Sequence, residues 1–430
     1  MIKRRVIERL FLAAFACLLA AACGGSIPAV GGTAAAPRAQ TAGSELVGLT
    51  VGGATPTPAG PATEATFGDW FKVSAGEAPN WTLTPAPGDP RRLTLLPKDE
   101  QLAKGQPKRV LVLYTRASSS YDIAISRILS VFRSSRLPVA VTVLNITKDP
   151  AVGQQGLSYA RSEKFDLILS MGSDTTDFLV KSFQGESIPV VTVCSKDPVL
   201  LGYVGSYDGS GTNIAYTSLD APVELQVTYL DQLVPDLKNI AVMYSESNTS
   251  AKVTQAAPLR AAATARGITV RDVVVVDDKN AKAELKSKVA EAAAAMRRTD
   301  PEGKKSVFWI TGSTPVFNEI ETINAASDGL PVLSVVPDVV KEGTKSALLS
   351  IGVTFESNAH LAALYAVDIL QGKAKAGELQ VGVVSPPDIA VNFGRAQAVG
   401  MKIPFSFLES ASYVYDHNGR LVRAAGQVIK

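Results

Sequence analysis

The sequence is poor in the residue types that build metal centres and nucleophilic active sites. It contains two histidines, His360 and His417, and three cysteines among 430 residues. So few of these residues give little support to a zinc site or a histidine-based catalytic triad. No Gly-x-Ser-x-Gly motif is followed by a usable acid and histidine, and Gly202–Gly211 does not match a phosphate-binding or dinucleotide-binding loop. We therefore expect no enzymatic activity, no cofactor and no metal site.

The sequence also lacks a large excess of charge of either sign. The chain has 43 Lys and Arg residues against 40 Asp and Glu residues, which gives a net charge of +3 at pH 7. This excess lies in residues 1–22, where four basic residues accompany the single acid Glu8. Elsewhere the basic residues are not gathered into long stripes. Nucleic-acid-binding proteins carry clustered basic surfaces, so we exclude that class.

No apolar run in the sequence is long enough to span a membrane as a helix. Leu10–Ala22 is apolar throughout and follows a basic stretch, which is typical of a signal peptide over residues 1–22. The run continues into Cys23-Gly24-Gly25-Ser26, which resembles the bacterial lipobox and implies cleavage before Cys23 and lipidation of Cys23. An ordinary secretory signal with a fortuitous cysteine is the alternative. With Cys17 removed and Cys23 lipidated, Cys194 has no disulfide partner.

Two segments separate this leader from the folded part of the chain. Residues 23–65 are rich in Gly, Ala, Thr and Pro with almost no charge, a composition that predicts a flexible tether. Residues 66–107 carry Trp70 and Trp81 among several prolines. We predict an irregular N-terminal extension that packs on the folded body.

From residue 108 onward, short β-branched apolar runs alternate with longer amphipathic stretches. Such runs suit strands buried on both faces, and the spacers suit crossover helices. The pattern predicts an α/β fold with doubly wound parallel sheets. The predicted strands are Val110–Tyr114, Val139–Leu144, Leu167–Met171 and Val190–Cys194, then Ile240–Tyr244, Val270–Val276, Val307–Ile310 and Val332–Val336.

The two sets of strands resemble each other. Val110–Tyr114 aligns with Ile240–Tyr244, and Gly172-Ser173 after one third strand matches Gly312-Ser313 after the other. The spacing between equivalent positions drifts only as much as loops would allow. Two similar α/β lobes in one chain are therefore expected.

Ligands of open α/β sheets bind beyond the carboxyl ends of the strands, near helix N-termini. The residues at those ends are rich in hydroxyl groups with single charges, which predicts a polar cleft for a small zwitterion or another polar solute. Each hydroxyl has the alternative role of capping a helix. The candidate ligand-binding residues are Arg116, Ser118, Ser119, Ser173, Asp174, Thr175, Ser195, Asp197, Glu246, Asn248, Thr249, Ser313 and Asp338.

Four of these candidates carry charges with specific expectations. Arg116 and Glu246 hold equivalent positions in the two lobes, so they could clamp a zwitterion, pair across the cleft as a latch, or lie solvated at its rim. Asp338 follows the last strand of the second lobe, where it could bind an amine. Asp197 has the alternative of capping the turn before Pro198.

Several stretches across residues 108–415 resemble the substrate-binding lipoproteins of ABC transporters that include tryptophan and tyrosine binders. They occur in the order and spacing that this family shows. These stretches are Phe165–Ser173, Ile188–Val199, Gly211–Ser218, Leu233–Tyr244, Val391–Phe393 and Gly400–Pro404.

The resemblance implies a type I periplasmic binding protein fold, in which two lobes joined by a three-strand hinge close around the ligand. It places residues 108–215 and 339–385 in lobe 1, and residues 216–338 and 386–415 in lobe 2. Residues 416–430 are then expected to be a tail outside the lobes. The implied partners are a small-molecule solute and the permease and ATPase subunits of a transporter.

We therefore predict a monomeric, lipid-anchored receptor that faces the periplasm or the cell exterior and delivers a small polar solute, such as an amino acid, to an ABC importer. The alternative is a ligand-sensing or scaffold lipoprotein with a degenerate cleft that acts through partner proteins. An exported hydrolase is disfavoured because the sequence lacks a triad or metal set.

Overall fold

A computed structural model describes residues 67–102, 106–343 and 345–429. The predicted leader, the predicted lipid attachment at Cys23 and the predicted tether lie outside the described residues. Among the residues within those three ranges, no helix is both long enough and apolar enough to cross a membrane.

The first sheet has seven strands in the spatial order β1-β2-β4-β3-β5-β6-β7. Strands β3 to β7 pair in parallel, whereas β1 and β2 add to the β4 edge in antiparallel fashion. The strands are β1 Trp81–Ala86, β2 Asp89–Pro97, β3 Lys108–Tyr114, β4 Val139–Asn145, β5 Leu167–Met171, β6 Val190–Val193 and β7 Ile214–Ala215.

The β1–β2 hairpin corrects the prediction that residues 66–107 form an irregular extension. Its turn contains Gly88 in the left-handed region, with a φ of 72°. Pro85 lies in the outermost strand, and Pro90 and Pro97 lie near the ends of β2, where a missing N–H is tolerated. Between them, Leu93 and Leu95 alternate with more exposed neighbours and are fully buried.

The second sheet has nine strands in the order β10-β9-β11-β12-β13-β15-β16-β17-β18. Strands β9 to β13 pair in parallel, and β15 pairs antiparallel with β13. A separate two-stranded pair joins β8 to β14. The strands are β8 Thr217–Ser218, β9 Asn239–Ser245, β10 Thr269–Val275, β11 Ser306–Ile310, β12 Val332–Ser334, β13 Leu349–Gly352, β14 Gly382–Val383, β15 Asp388–Asn392, β16 Tyr413–Tyr415, β17 Leu421–Ala424 and β18 Gln427–Val428.

Helices pack on the strands of both sheets. In the first sheet, alternate residues of β3 face two separate cores. Val110 and Val112 belong to the core beneath the helix Ser119–Ser134, and Leu111 and Leu113 belong to the core beneath the helices Pro150–Ser162 and Gly172–Phe183. The helices are α1 Phe67–Trp70, α2 Ser119–Ser134, α3 Pro150–Ser162, α4 Gly172–Phe183, α5 Val223–Leu233, α6 Thr249–Ala251, α7 Ala257–Ala265, α8 Ala281–Thr299, α9 Thr314–Phe317, α10 Ile320–Ala326, α11 Phe355–Leu370, α12 Phe393–Ala398 and α13 Phe405–Ser410.

The two sheets repeat one strand order. Strands β4-β3-β5-β6-β7 and β10-β9-β11-β12-β13 both follow the doubly wound pattern 2-1-3-4-5. All eight strands predicted from apolar runs are present, with ends shifted by at most two residues. The predicted equivalence of Gly172 and Gly312 also holds, because they follow the corresponding strands β5 and β11.

Within the described ranges the chain passes between the lobes three times, near residues 219–222, 353–354 and 384–387. The second passage corrects a predicted boundary. Residues 349–352 were expected in lobe 1, but their apolar run forms β13 and pairs with β12 in the second sheet. Lobe 1 resumes at α11, which packs on α2 and β6.

The C-terminal residues correct a second boundary. Strand β17 pairs antiparallel with β16, and β18 with β17. Residues 421–428 therefore belong to the second sheet and are not a tail outside it, since their backbone groups complete the ladder that β16 would otherwise leave open.

Candidate functional site

The carboxyl ends of β3, β5 and β6 in lobe 1 face those of β9 and β11 in lobe 2 across a cleft. Its empty volume is about 710 Å³, including open solvent. The predicted site residues that line it are Arg116, Ser118, Ser173, Asp174 and Asn248. The cleft therefore lies at the strand ends, where it was predicted, but only some of the predicted residues line it.

The lobe 1 wall is built around Gly172 at the start of α4. Its φ of 80° lies in the left-handed region, and a β-carbon at this position would overlap the Tyr121 hydroxyl. Glycine therefore allows the tyrosine ring to close over the end of β5. Burial raises the pKa of Tyr121 to about 12, so the hydroxyl keeps its proton.

Arg116 brings a positive charge into the same wall. Its Nε atom is buried and has no hydrogen-bond partner among the described residues. The guanidinium group lies next to Tyr121 and lowers the pKa of that hydroxyl, against the larger effect of burial. A buried guanidinium N–H without an acceptor favours an anionic group from outside the chain.

Three further polar groups contribute to the cleft surface. Ser118 precedes α2, yet its hydroxyl makes no capping hydrogen bond and is left to face the cleft. The Ser173 hydroxyl accepts the N–H of Lys196 at 3.1 Å. Asn248 caps α6, and its Nδ2 donates to the Gly312 carbonyl at 3.3 Å, so its amide holds the lobe 2 wall.

A buried network connects the lobes at the inner end of the cleft. The Lys196 ammonium lies 3.6 Å from the Asp220 carboxylate, and both side chains are 5% exposed. The other lobe contributes Gln255, whose Nε2 donates to Asp220 at 2.5 Å and whose Oε1 accepts the Gly312 N–H at 2.6 Å. A β-carbon at Gly312 would overlap the Lys196 ammonium. The network thus spans lobe 1, a crossing segment and lobe 2.

The remaining walls combine two carboxylates with aromatic rings. Asp174 pairs with Lys148 at 2.9 Å, and Asp278 accepts hydrogen bonds from Ser245 and Ser247. The aromatic side chains of Tyr121, Phe317 and Phe355 also line the cleft. Sequence reasoning missed these rings and the Lys196 network. For Lys196 a signal was present, since it lies between the predicted Ser195 and Asp197.

Five predicted residues lie behind or beside the cleft. Thr175, Ser195 and Ser313 are at most 1% exposed, because their side chains turn into the packed strand–helix junctions. Asp197 caps the following turn by accepting the N–H groups of Val199 and Leu200, as the alternative interpretation held. Ser119 is exposed beyond the cleft lining.

The other three lie elsewhere for different reasons. Glu246 pairs with Lys252 of its own lobe at 2.6 Å and does not line the cleft, so it forms neither the clamp nor the latch with Arg116 and lies at the rim, as the third alternative held. Thr249 lines an outer chamber that continues from the cleft past Lys148 and Asp174. Asp338 accepts the Phe355 N–H at 3.3 Å from behind the cleft wall, so it does not contact the cleft.

A comparison of the sequence with known protein families supports the fold described above. The family model described as ABC transporter substrate binding protein matches residues 139–415. The chain belongs to this family. The predicted resemblance is thereby confirmed for these residues, whereas the strands β1 to β3 and the cleft residues Arg116, Ser118 and Tyr121 lie before the match.

Individual relatives of this substrate-binding protein are distant. A tyrosine-binding protein from Clostridioides difficile is 24% identical over 268 residues, which are 61% of this chain and 71% of that protein. A conserved domain protein from Vibrio cholerae shares the fold with a TM-score of 0.58 and 20% identity, covering 72% of this chain and all of that one.

A second solved structure, an ABC domain in complex with L-Trp from Streptococcus pneumonia, gives a TM-score of 0.56 at 19% identity and covers 71% of this chain and 100% of that one. A ligand-free, open substrate-binding protein with adhesive properties from Clostridium difficile gives 0.54 at 22% identity, covering 71% and 98% of the two chains. These similarities confirm the predicted two-lobed type I fold.

Proposed function

We propose that this substrate-binding protein captures an amino acid with an aromatic side chain between its lobes and delivers it to an ABC importer. As a family member it acts outside the cytoplasm. The lipobox at Cys23 supports an anchor in the membrane, which would keep the protein near the permease and ATPase subunits. The ligand residues we propose are those predicted residues that line the cleft, together with Lys196 and the aromatic rings.

The observation that carries the proposal is the Arg116 guanidinium, buried at Nε without a partner in the described chain. A carboxylate is the natural acceptor for it, because charge-assisted hydrogen bonds to guanidinium are strong and directional. The Lys196 ammonium lines the same cleft and lies at 3.6 Å from its own counter-ion, beyond hydrogen-bond distance, so it has donors to offer to the same anion.

The opposite end of the ligand has suitable partners as well. Asp278, held by two serine hydroxyls, can accept an ammonium group. Phe317 and Phe355 offer flat apolar surface on which an aromatic side chain can stack. Two similar proteins take such ligands: one relative is a tyrosine-binding protein, and one solved structure is a complex with L-Trp.

Isothermal titration with L-tryptophan, L-tyrosine and L-phenylalanine tests the proposal. We expect binding of at least one of them, and much weaker binding of the corresponding amino-acid amide, which lacks the carboxylate. Binding of sugars or purines with no response to any amino acid would contradict it.

Arg116→Gln tests the carboxylate contact. We expect this variant to lose about 1.5–3 kcal/mol of binding free energy, the range for hydrogen bonds to charged groups. Lys252→Gln is the matched control, because Lys252 pairs with Glu246 outside the cleft lining. Equal affinities of Arg116→Gln and the wild type would place the guanidinium outside the binding site.

Cys23→Ala tests the anchor and the delivery step together. We expect the variant to leave the membrane fraction of its host and to reduce uptake of the labelled amino acid, while purified protein keeps its affinity. Membrane retention of the variant after its leader has been removed would refute the lipid anchor, and unchanged uptake in a strain lacking the whole gene would refute delivery to an importer.

A further inference from the structure

A segment that precedes the family match runs along one helix of the cleft. We define residues 67–80 as the strap; it begins with α1 and ends in a short helical turn at Ala78–Asn80. The strap lies beside α2, whose N-terminal turn carries the cleft residues Ser120 and Tyr121. It is therefore placed to act on the binding site without touching the ligand.

Hydrogen bonds tie the strap to the cleft end of α2. The Lys72 N–H donates to Asp122 Oδ1 at 2.9 Å, and the Ser74 N–H donates to Ser126 Oγ at 2.9 Å. Asp122 follows Tyr121 directly in sequence, and Ser126 lies one turn further along. These bonds fix the first two turns of the helix against the strap backbone.

A second attachment holds the far end of the same helix. Glu77 is 6% exposed and accepts two hydrogen bonds from the Arg133 guanidinium, at 3.1 and 3.0 Å. It also accepts the Trp81 indole N–H at 2.8 Å. The strap is therefore hydrogen-bonded to both ends of α2, and the two attachments can be removed by separate substitutions.

Aromatic side chains continue the connection into the cleft. Trp70 and Phe71 each meet the Tyr114 ring edge-on with ring centroids 6.0 Å apart. Tyr114 in turn meets Tyr121 edge-on at 5.5 Å. Because Tyr121 packs over Gly172 and beside Arg116, a displacement of the strap aromatics reaches the wall that holds the guanidinium.

We propose that the strap is a positioning element of the binding site: it holds the cleft end of α2 and the Tyr121 ring in the arrangement that binds ligand. The amino-acid probe used below rests on the proposed function, but the positioning role does not. Its residues act through Tyr121 and have no place in the cleft lining themselves.

Two variants of the full chain separate positioning from general stability. Asp122→Ala/Ser126→Ala releases the strap from the cleft end of α2, and Arg133→Ala releases it from the far end. We expect the first to weaken L-tryptophan binding by about fivefold or more and the second to change it by less than about twofold. Equal losses in both variants, or none in the first, would overturn the proposal.

A double-mutant cycle adds a measurement that a general loss of stability would not affect. In a Tyr121→Ala background, Asp122→Ala/Ser126→Ala should cause almost no further loss of affinity, because the strap acts through this ring. Additive losses would show that the strap does not work through Tyr121.

A probe that needs no ligand keeps this test independent of the proposed function. Cys194 lines the cleft and is buried, so its reaction with a small thiol reagent reports cleft geometry. In the full chain with Cys17→Ser and Cys23→Ser, Asp122→Ala/Ser126→Ala should speed this reaction by about fivefold or more, and Arg133→Ala by less than about twofold. If the wild type binds no amino acid, the proposed function fails. If the labelling rates do not separate, the positioning role fails.

Discussion

At the scale of single residues, Asp338 shows how burial changes the chemistry of a predicted ligand group. It lies behind Phe355 rather than in the cleft, and burial raises its pKa to about 7. The Phe355 N–H that it accepts opposes this rise, while the nearby carboxylates of Asp388 and Glu356 add to it. The side chain is therefore half protonated near neutral pH.

The raised pKa predicts a pH-dependent stability. An unfolded aspartate has a pKa of about 3.9, so between about pH 4 and pH 7 the folded chain holds a proton that the unfolded chain has lost. The contribution of this residue is greatest below about pH 4 and is lost as the pH rises through about 7. Asp338→Asn keeps a hydrogen-bond acceptor and removes the titration.

We expect Asp338→Asn to be more stable than the wild type at pH 8 by roughly 1–3 kcal/mol, given about 1.4 kcal/mol for a one-unit change in pKa. The advantage should shrink as the pH is lowered toward 4.5. Urea denaturation of both proteins at pH 4.5, 6 and 8 measures it. A difference that does not change with pH would contradict the assignment.

At the scale of elements, the Lys196–Asp220–Gln255 network joins the end of β6, a crossing segment and the helical segment after α6. Asp220→Asn would leave the Lys196 ammonium buried without a counter-ion. Removing one partner of a buried pair costs about 3–5 kcal/mol, so we expect a loss of that order in unfolding free energy. The urea midpoint measures this loss.

Glu378→Gln is the matched control for this change. It removes the partner of Lys375 in an exposed pair whose side chains are 83% and 67% exposed, and such pairs contribute little. We expect no measurable change in the urea midpoint. If Asp220→Asn behaved in the same way, the buried pair would not hold the lobes together.

The sequence predicted those strands that can be recognised from their own apolar residues, without knowledge of the rest of the fold. Seven of the eight strands predicted from apolar runs are buried along most of their length, so each could be recognised from its own sequence. The eighth, β10, is an edge strand that is buried at Val273 and Val275. The β1–β2 hairpin was missed because proline is tolerated only in edge strands or near strand ends, and which strand lies at the edge depends on the rest of the sheet. Residues 349–352 were assigned to the wrong lobe because strand pairing with β12 is a long-range property.

The candidate site shows the same division. Strand ends were predictable, so Arg116 and Ser173 were placed at the cleft. Side-chain direction was not, so Thr175 and Ser313 were predicted at the surface and are buried. Asp220 and Gln255 have no local signature, because their roles arise only where the two lobes meet.

At the scale of the whole molecule, the sheet order reveals a dependence that the family match does not show. The match begins at residue 139, at the first residue of β4. Strand β3 precedes it in sequence but lies between β4 and β5 in the sheet. A fragment of residues 139–415 would therefore lack β3, the strand that lies between β4 and β5 and pairs with both.

We expect that fragment to lack a cooperative unfolding transition in circular dichroism, whereas the full chain shows one. A cooperative fragment with native-like spectra would contradict this expectation. The inner position of β3 also limits how this architecture can be rearranged. Circular permutation and domain insertion are tolerated at exposed loop tips, so new termini belong at the β1–β2 turn, whereas β3 and α2 cannot be detached from the rest.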